Sequence, residues 1–105
     1  MVELNVLARM PDGREVPIHI EIAAPQAQPD GSAICRVGVA PLEQKPLDVR
    51  GVDSFHAVWL ACSLVLKLLT HLRSAGAELL SGDGAPFPLE AYLAGLDPAD
   101  KKSSG

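Results

Sequence analysis

A chain of 105 residues, 48% hydrophobic and 21% charged, has the composition of one globular domain and not of a disordered segment. Its formal net charge of −4, with nine basic residues scattered along it, argues against nucleic acid or an anionic membrane surface as partner. Cys35 and Cys62 are too few for a disulfide framework and are expected as buried thiols in a reducing compartment.

In chain order, Val2, Leu4, Val6, Ala8 and Met10 alternate with Glu3, Asn5, Leu7 and Arg9. With Glu3 and Arg9 inside it, this start lacks the apolar core of a secretory signal, and a cytoplasmic location is expected. Val16, Ile18, Ile20 and Ile22 repeat the alternation after Pro11-Asp12-Gly13, which predicts a hairpin. A three-residue loop with a bulge at Gly13 sets Val6 opposite Ile18, Leu4 opposite Ile20 and Arg9 opposite Glu15. Only that register gathers the apolar residues on one face. It also sets Glu3 opposite Glu21, an unfavourable pair unless a neighbour such as Arg36 neutralises it.

Pro25, Pro29 and Asp30-Gly31 mark a loop, and Ser32 to Ala40 reads as a third strand with Cys35, Val37 and Val39 inward. Pro46 argues against a central strand over Glu43 to Arg50, leaving a short edge piece at Leu47 to Val49 as an alternative. From Asp53 to Gly76 the chain is free of Pro and internal Gly. Placed on a helical wheel, His56, Ser63, Lys67, Thr70, His71 and Ser74 form one polar stripe. Apolar residues fill an arc of roughly 220°. A long helix is therefore predicted, buried around most of its girth, capped by Asp53 or Ser54 and ended at Gly76. Glu78-Leu79-Leu80 is a possible extended piece, and Pro88 with Leu89, Tyr92, Leu93 and Leu96 predicts a short helix over Phe87 to Leu96. Residues 1–97 form the expected domain and 98–105 a polar tail.

The expected fold is α+β: an antiparallel three- to four-stranded meander with one long helix packed on one face and a short C-terminal helix. So small a sheet cannot cover an apolar arc that wide. The flank near Phe55, Trp59 and Leu66 must meet either the C-terminal segment or a second copy.

The head of the helix, Gly51-Val52-Asp53-Ser54-Phe55-His56-Ala57-Val58, resembles the phosphopantetheine-attachment motif of acyl and peptidyl carrier proteins. That resemblance implies a serine, here Ser54, that carries a prosthetic arm at the start of a helix, within a bundle of helices. The period-2 pattern of the first forty residues is β and not helical. Asp-Ser is also a good helix cap in its own right. Taken whole, the layout resembles small bacterial domains in which a β-meander precedes a Gly-x-Asp-Ser-x-x-Ala helix, a resemblance that implies no activity.

No nucleophile–base pair or phosphate-binding loop appears, and His56 and His71 lie too far apart along the helix to share a metal. No catalytic residue, metal site or cofactor is expected. The expected function is a non-enzymatic protein-interaction or self-associating module, whose interface is Phe55, Trp59 and Leu66. One alternative is a carrier modified at Ser54. Another is a small enzyme working on the outer sheet face around Asn5, His19, Glu21 and Arg36.

Overall fold

The computed structural model describes residues 1–94. Its elements in order are β1 (Val2–Arg9), β2 (Glu15–Ile22), β3 (Gln26–Ala27), β4 (Ala33–Ala40), β5 (Leu47–Gly51), α1 (Ser54–Ser74), β6 (Glu78–Leu80) and α2 (Leu89–Ala94). The fold is α+β. The predicted hairpin forms in the predicted register, with Val6 opposite Ile18, Leu4 opposite Ile20 and Arg9 opposite Glu15. Arg9 holds Glu15 at 3.1 Å and also reaches Glu78 at 3.0 Å, tying both neighbours of β1 together.

The meander has its fourth strand, β5, at the edge piece anticipated around Leu47 to Val49, and the chain adds β6 to the opposite edge. Val37 pairs with Ile22 of β2 and with Leu47 of β5, so those strands flank β4 on opposite sides. Ala33 and Ile34 pair with both β3 and β5, which puts β3 on the β2 side, as a continuation of β2 beyond a bulge near Ala23 and Ala24. The order is thus β5-β4-β2-β1-β6, antiparallel throughout. The segment from β5 through α1 to β6 carries the chain from one edge of the sheet to the other. Pro46 precedes β5 and so removes no ladder donor, which is why the edge strand is tolerated.

Both ends of α1 are fixed by chemistry legible in the sequence. Asp53 is the N-cap: its side chain accepts the His56 backbone N–H at 2.8 Å. His56 Nδ1 in turn accepts the Val52 N–H at 3.0 Å, a reciprocal arrangement like a capping box. At the other end Ala77 N–H reaches Leu72 O and Gly76 N–H reaches Arg73 O, both at 3.0 Å, which is a Schellman motif. It needs a positive φ at the residue after the cap, and Gly76 supplies +103°.

The core lies between the helix and one face of the sheet. Ile18, Ile20, Val37 and Cys35 from the strands meet Ala57, Ala61, Val65 and Leu69 from α1. Leu79, Phe87 and Leu89 close it at the C-terminal side. The predicted second helix begins one residue later than Pro88, at Leu89, and its last two positions, with the 97/98 domain boundary, fall outside the described residues.

Two expectations are corrected. The helix is not buried over most of its girth: only Ala57, Ala61, Val65 and Leu69 are fully buried. Each step of four residues advances ~400° around the axis, so this stripe drifts ~40° per step and winds around the helix. A single wheel averages that drift away. Cys62 is consequently exposed, whereas Cys35 is fully buried, as expected.

Candidate functional site: an open apolar flank and trough

The winding stripe decides what the helix leaves uncovered. Near the N-terminus of α1 the line of contact with the sheet lies nearly opposite Phe55 and Trp59. Phe55 is 81% exposed and Trp59 is 46% exposed. A turn or two later the contact line has moved toward Leu66, which is half-buried. The small Ala57 and Ala61 bring the first half of α1 close to the sheet. Phe55, Trp59, Cys62 and Leu66 then follow one another at spacings of four, three and four, the seam spacing of a helix that packs against another helix. None of the four carries a charge. The three interface residues expected from the sequence therefore lie on one strip, Phe55 and Trp59 exposed and Leu66 half-buried, and the exposed Cys62 between them was expected in the core.

Beside this strip lies an apolar trough of about 220 Å³. Its floor is Leu4, Ile20 and Ile22 of the sheet, one wall is Cys62, Val65 and Leu66, and Tyr92 of α2 closes an end. The trough exists because α1 rests chiefly on β4 and β5, and β6 pairs only with Leu7, Ala8 and Arg9 of β1. The corner of the sheet at Val2 is left largely uncovered, whereas Ile22 beside it is buried. Tyr92 is held there by stacking on the buried Phe87, ring centroids 5.1 Å apart, and α2 is tied to α1 by the Arg73–Glu90 ion pair. Val2 and Tyr92 are 63% and 46% exposed. Tyr92 belongs to the C-terminal segment expected as one possible cover for the flank, whereas Val2 was expected only as an inward residue of the first strand. The signal that could have found Val2 is its position at the end of an alternating strand, beyond the reach of any second layer.

Ser54 is exposed in the first turn of α1. Three of its neighbours in the carrier-like motif have structural duties. Gly51 ends β5 so close to the helix that a Cβ there would lie 2.3 Å from the Ala57 backbone nitrogen. Asp53 and His56 form the cap described above. The antiparallel sheet preceding the motif is unlike the helical bundle that the carrier resemblance implies.

On the opposite face of the sheet, Asn5, His19 and Glu21 come together as the register required. His19 Nδ1 lies 2.7 Å from Asn5 Oδ1, and Nε2 lies 2.7 Å from Glu21 Oε1. Ligand atoms of Glu3, His19 and Glu21 fall within 4.8 Å of one another, a set that could hold a cation. A proton on His19 Nε2 satisfies the contact with Glu21 equally well. Arg36 does not join them. It donates to Asp48 at 3.0 Å, which holds the Asp48 carboxyl below its ordinary range, the hydrogen bond being the larger cause and charge attraction the smaller. The neutralising partner expected for Glu3 and Glu21 is thus engaged elsewhere, and Glu21 instead lies against the His19 ring. Of the four residues of the enzyme alternative, three are brought together and one is not.

No known protein family, curated protein or solved structure matches the chain.

Proposed function

We propose that this domain is a non-enzymatic, self-associating module that works through the exposed flank of α1 and the trough beside it. The observation that carries this reading is the uncharged strip of Phe55, Trp59, Cys62 and Leu66 facing solvent next to an open apolar trough. Soluble monomers seldom expose contiguous apolar patches of more than a few hundred Å². With 150–250 Å² on each aromatic side chain, the exposed parts of Phe55, Trp59 and Tyr92 alone amount to roughly 300–400 Å² per copy. Val2 and Leu66, which line the trough, extend the patch toward the roughly 800 Å² per partner of an ordinary stable interface.

α1 is also long and apolar enough, by length and composition, to cross a bilayer. A protein partner is favoured because one stripe of α1 already seats on the sheet and Lys67, His56 and His71 occupy its far side. The test is light scattering coupled to size exclusion from micromolar to millimolar concentration, with the emission of Trp59, the only tryptophan, followed on dilution. A dimer whose tryptophan emission shifts to longer wavelength on dissociation is expected. A monomer throughout the range refutes the reading. The carrier alternative is decided by intact mass after incubation with coenzyme A and a promiscuous phosphopantetheinyl transferase; an unchanged mass is expected.

A further inference from the structure

Resting on the reading of α1 as a self-association surface, the geometry points to a particular pairing: two copies of α1 packed antiparallel, with Phe55 of each copy seated in the other's trough. Three observations meet in it. First, the strip is self-complementary in size when reversed. An antiparallel two-fold pairing that sets Trp59 opposite the partner's Cys62 also sets Phe55 opposite the partner's Leu66. The largest side chain then faces the smallest, and no charged residue falls between the helices. A parallel pairing sets Trp59 against Trp59 and Phe55 against Phe55 and leaves Cys62 facing Cys62, with the large residues colliding and the small ones leaving a gap.

Second, Leu66 is a wall of the trough, so a partner Phe55 lying against it is delivered to the open apolar space over Leu4 and Ile22. At about 220 Å³ that space is large enough for a phenyl ring, and its lining is almost wholly apolar. Third, Phe55 is the most exposed of the large apolar residues described, 81%, and it touches little in its own chain. It is therefore free to serve as a knob, and its replacement leaves the fold intact. The two-fold operation uses each knob and each trough once and so closes at two copies, with no free end to propagate into a filament.

The experiment has two arms. Phe55→Asp is expected to weaken the dimer at least ~30-fold by light scattering, the loss typical of a central anchor residue, with the circular dichroism and melting temperature of the monomer unchanged. In the second arm, Phe55→Cys with Cys62→Ser in one preparation is mixed with Leu66→Cys and Cys62→Ser in another, and the mixture is oxidised at high concentration. Disulfide-linked pairs made of one chain of each kind are expected on a non-reducing gel and by intact mass, because only the mixed pair brings the two cysteines together. Linked pairs formed by the Phe55→Cys chain alone overturn the antiparallel pairing while leaving self-association standing. A wild-type chain that stays monomeric overturns both. A Phe55→Asp dimer of undiminished strength overturns the knob and the trough as its seat.

Discussion

Gly51→Ala tests the close approach on which the placement of α1 depends. Gly51 is the last residue of β5, paired with Ala33 on β4, and the chain turns directly from it into the helix. A Cβ at this position would lie 2.3 Å from Ala57 N, 2.7 Å from Ala57 Cα and 2.8 Å from the His56 carbonyl carbon. All three are backbone atoms of the first turn of α1, so no side-chain rotation relieves the overlap. Ala57 itself is fully buried, and moving it outward lifts the head of the helix off the sheet. Overpacking that a side chain can partly absorb costs about 1–3 kcal/mol. Against unyielding backbone the cost belongs at or above the top of that range, about 3–5 kcal/mol. A domain this size has roughly 5–15 kcal/mol of total stability, so the variant loses a large share of it. The assay is urea unfolding followed by circular dichroism, with Gly38→Ala as control. Gly38 lies in β4 with nothing within 4 Å of its added Cβ, so there the change is neutral or stabilising by about 0.5–1 kcal/mol. A Gly51→Ala variant within 1 kcal/mol of the wild type would refute the close-approach argument.

Asp53→Ala removes the acceptor of the His56 N–H and is expected to cost about 1 kcal/mol in the same urea assay, with Asp53→Asn largely restoring it. Maleimide labelling read by intact mass, at a dilution that dissociates any dimer, should modify Cys62 alone in the folded chain. Cys35 is fully buried, and burial pushes its thiol above the ordinary range, with a smaller contribution from Cys62, so it reacts only on unfolding. In acid, four exposed carboxyls act together: Asp12 is held low by the Arg14 backbone N–H, Asp30 by the Ser32 hydroxyl, Asp48 by Arg36, and Glu90 by its own backbone N–H and then Arg73. Each has its folded value below its ordinary one, so each stabilises the fold above that ordinary value, 3.8 for the aspartates and 4.5 for the glutamate. That stabilisation is lost as the pH falls through the folded values. The melting temperature is therefore expected to hold down to about pH 5 and to decline below about pH 4, with a smaller acid decline in Asp48→Asn. A melting temperature that rises on acidification would contradict the sign.

The carrier-like motif shows how one stretch of sequence can be read for chemistry or for architecture. Gly51, Asp53 and His56 are each accounted for by steric fit or capping, whereas Val52, Ser54 and Phe55 are exposed. The candidate interface was half legible. Phe55, Trp59 and Leu66 followed from an apolar arc too wide for a small sheet, because burial demand can be counted from sequence. Cys62 and Val2 could not be reached that way, since they border the trough only through the path α1 takes across the strands.

By itself the sequence determined whatever depends on neighbours along the chain: the hairpin register from Pro11-Asp12-Gly13 and period-2 alternation, the cap at Asp53, the stop at Gly76 and the length of α1. Tertiary structure alone decided that β6 pairs with β1, the diversion of Arg36 to Asp48, and above all which arc of α1 is buried. The physical reason is that a run of apolar residues states how much surface must leave water, without stating on which side the partner lies. That side is set by a contact stripe winding around α1 as it crosses from one sheet edge to the other. It buries Val65 and Leu69 and leaves Phe55 and Trp59 in water.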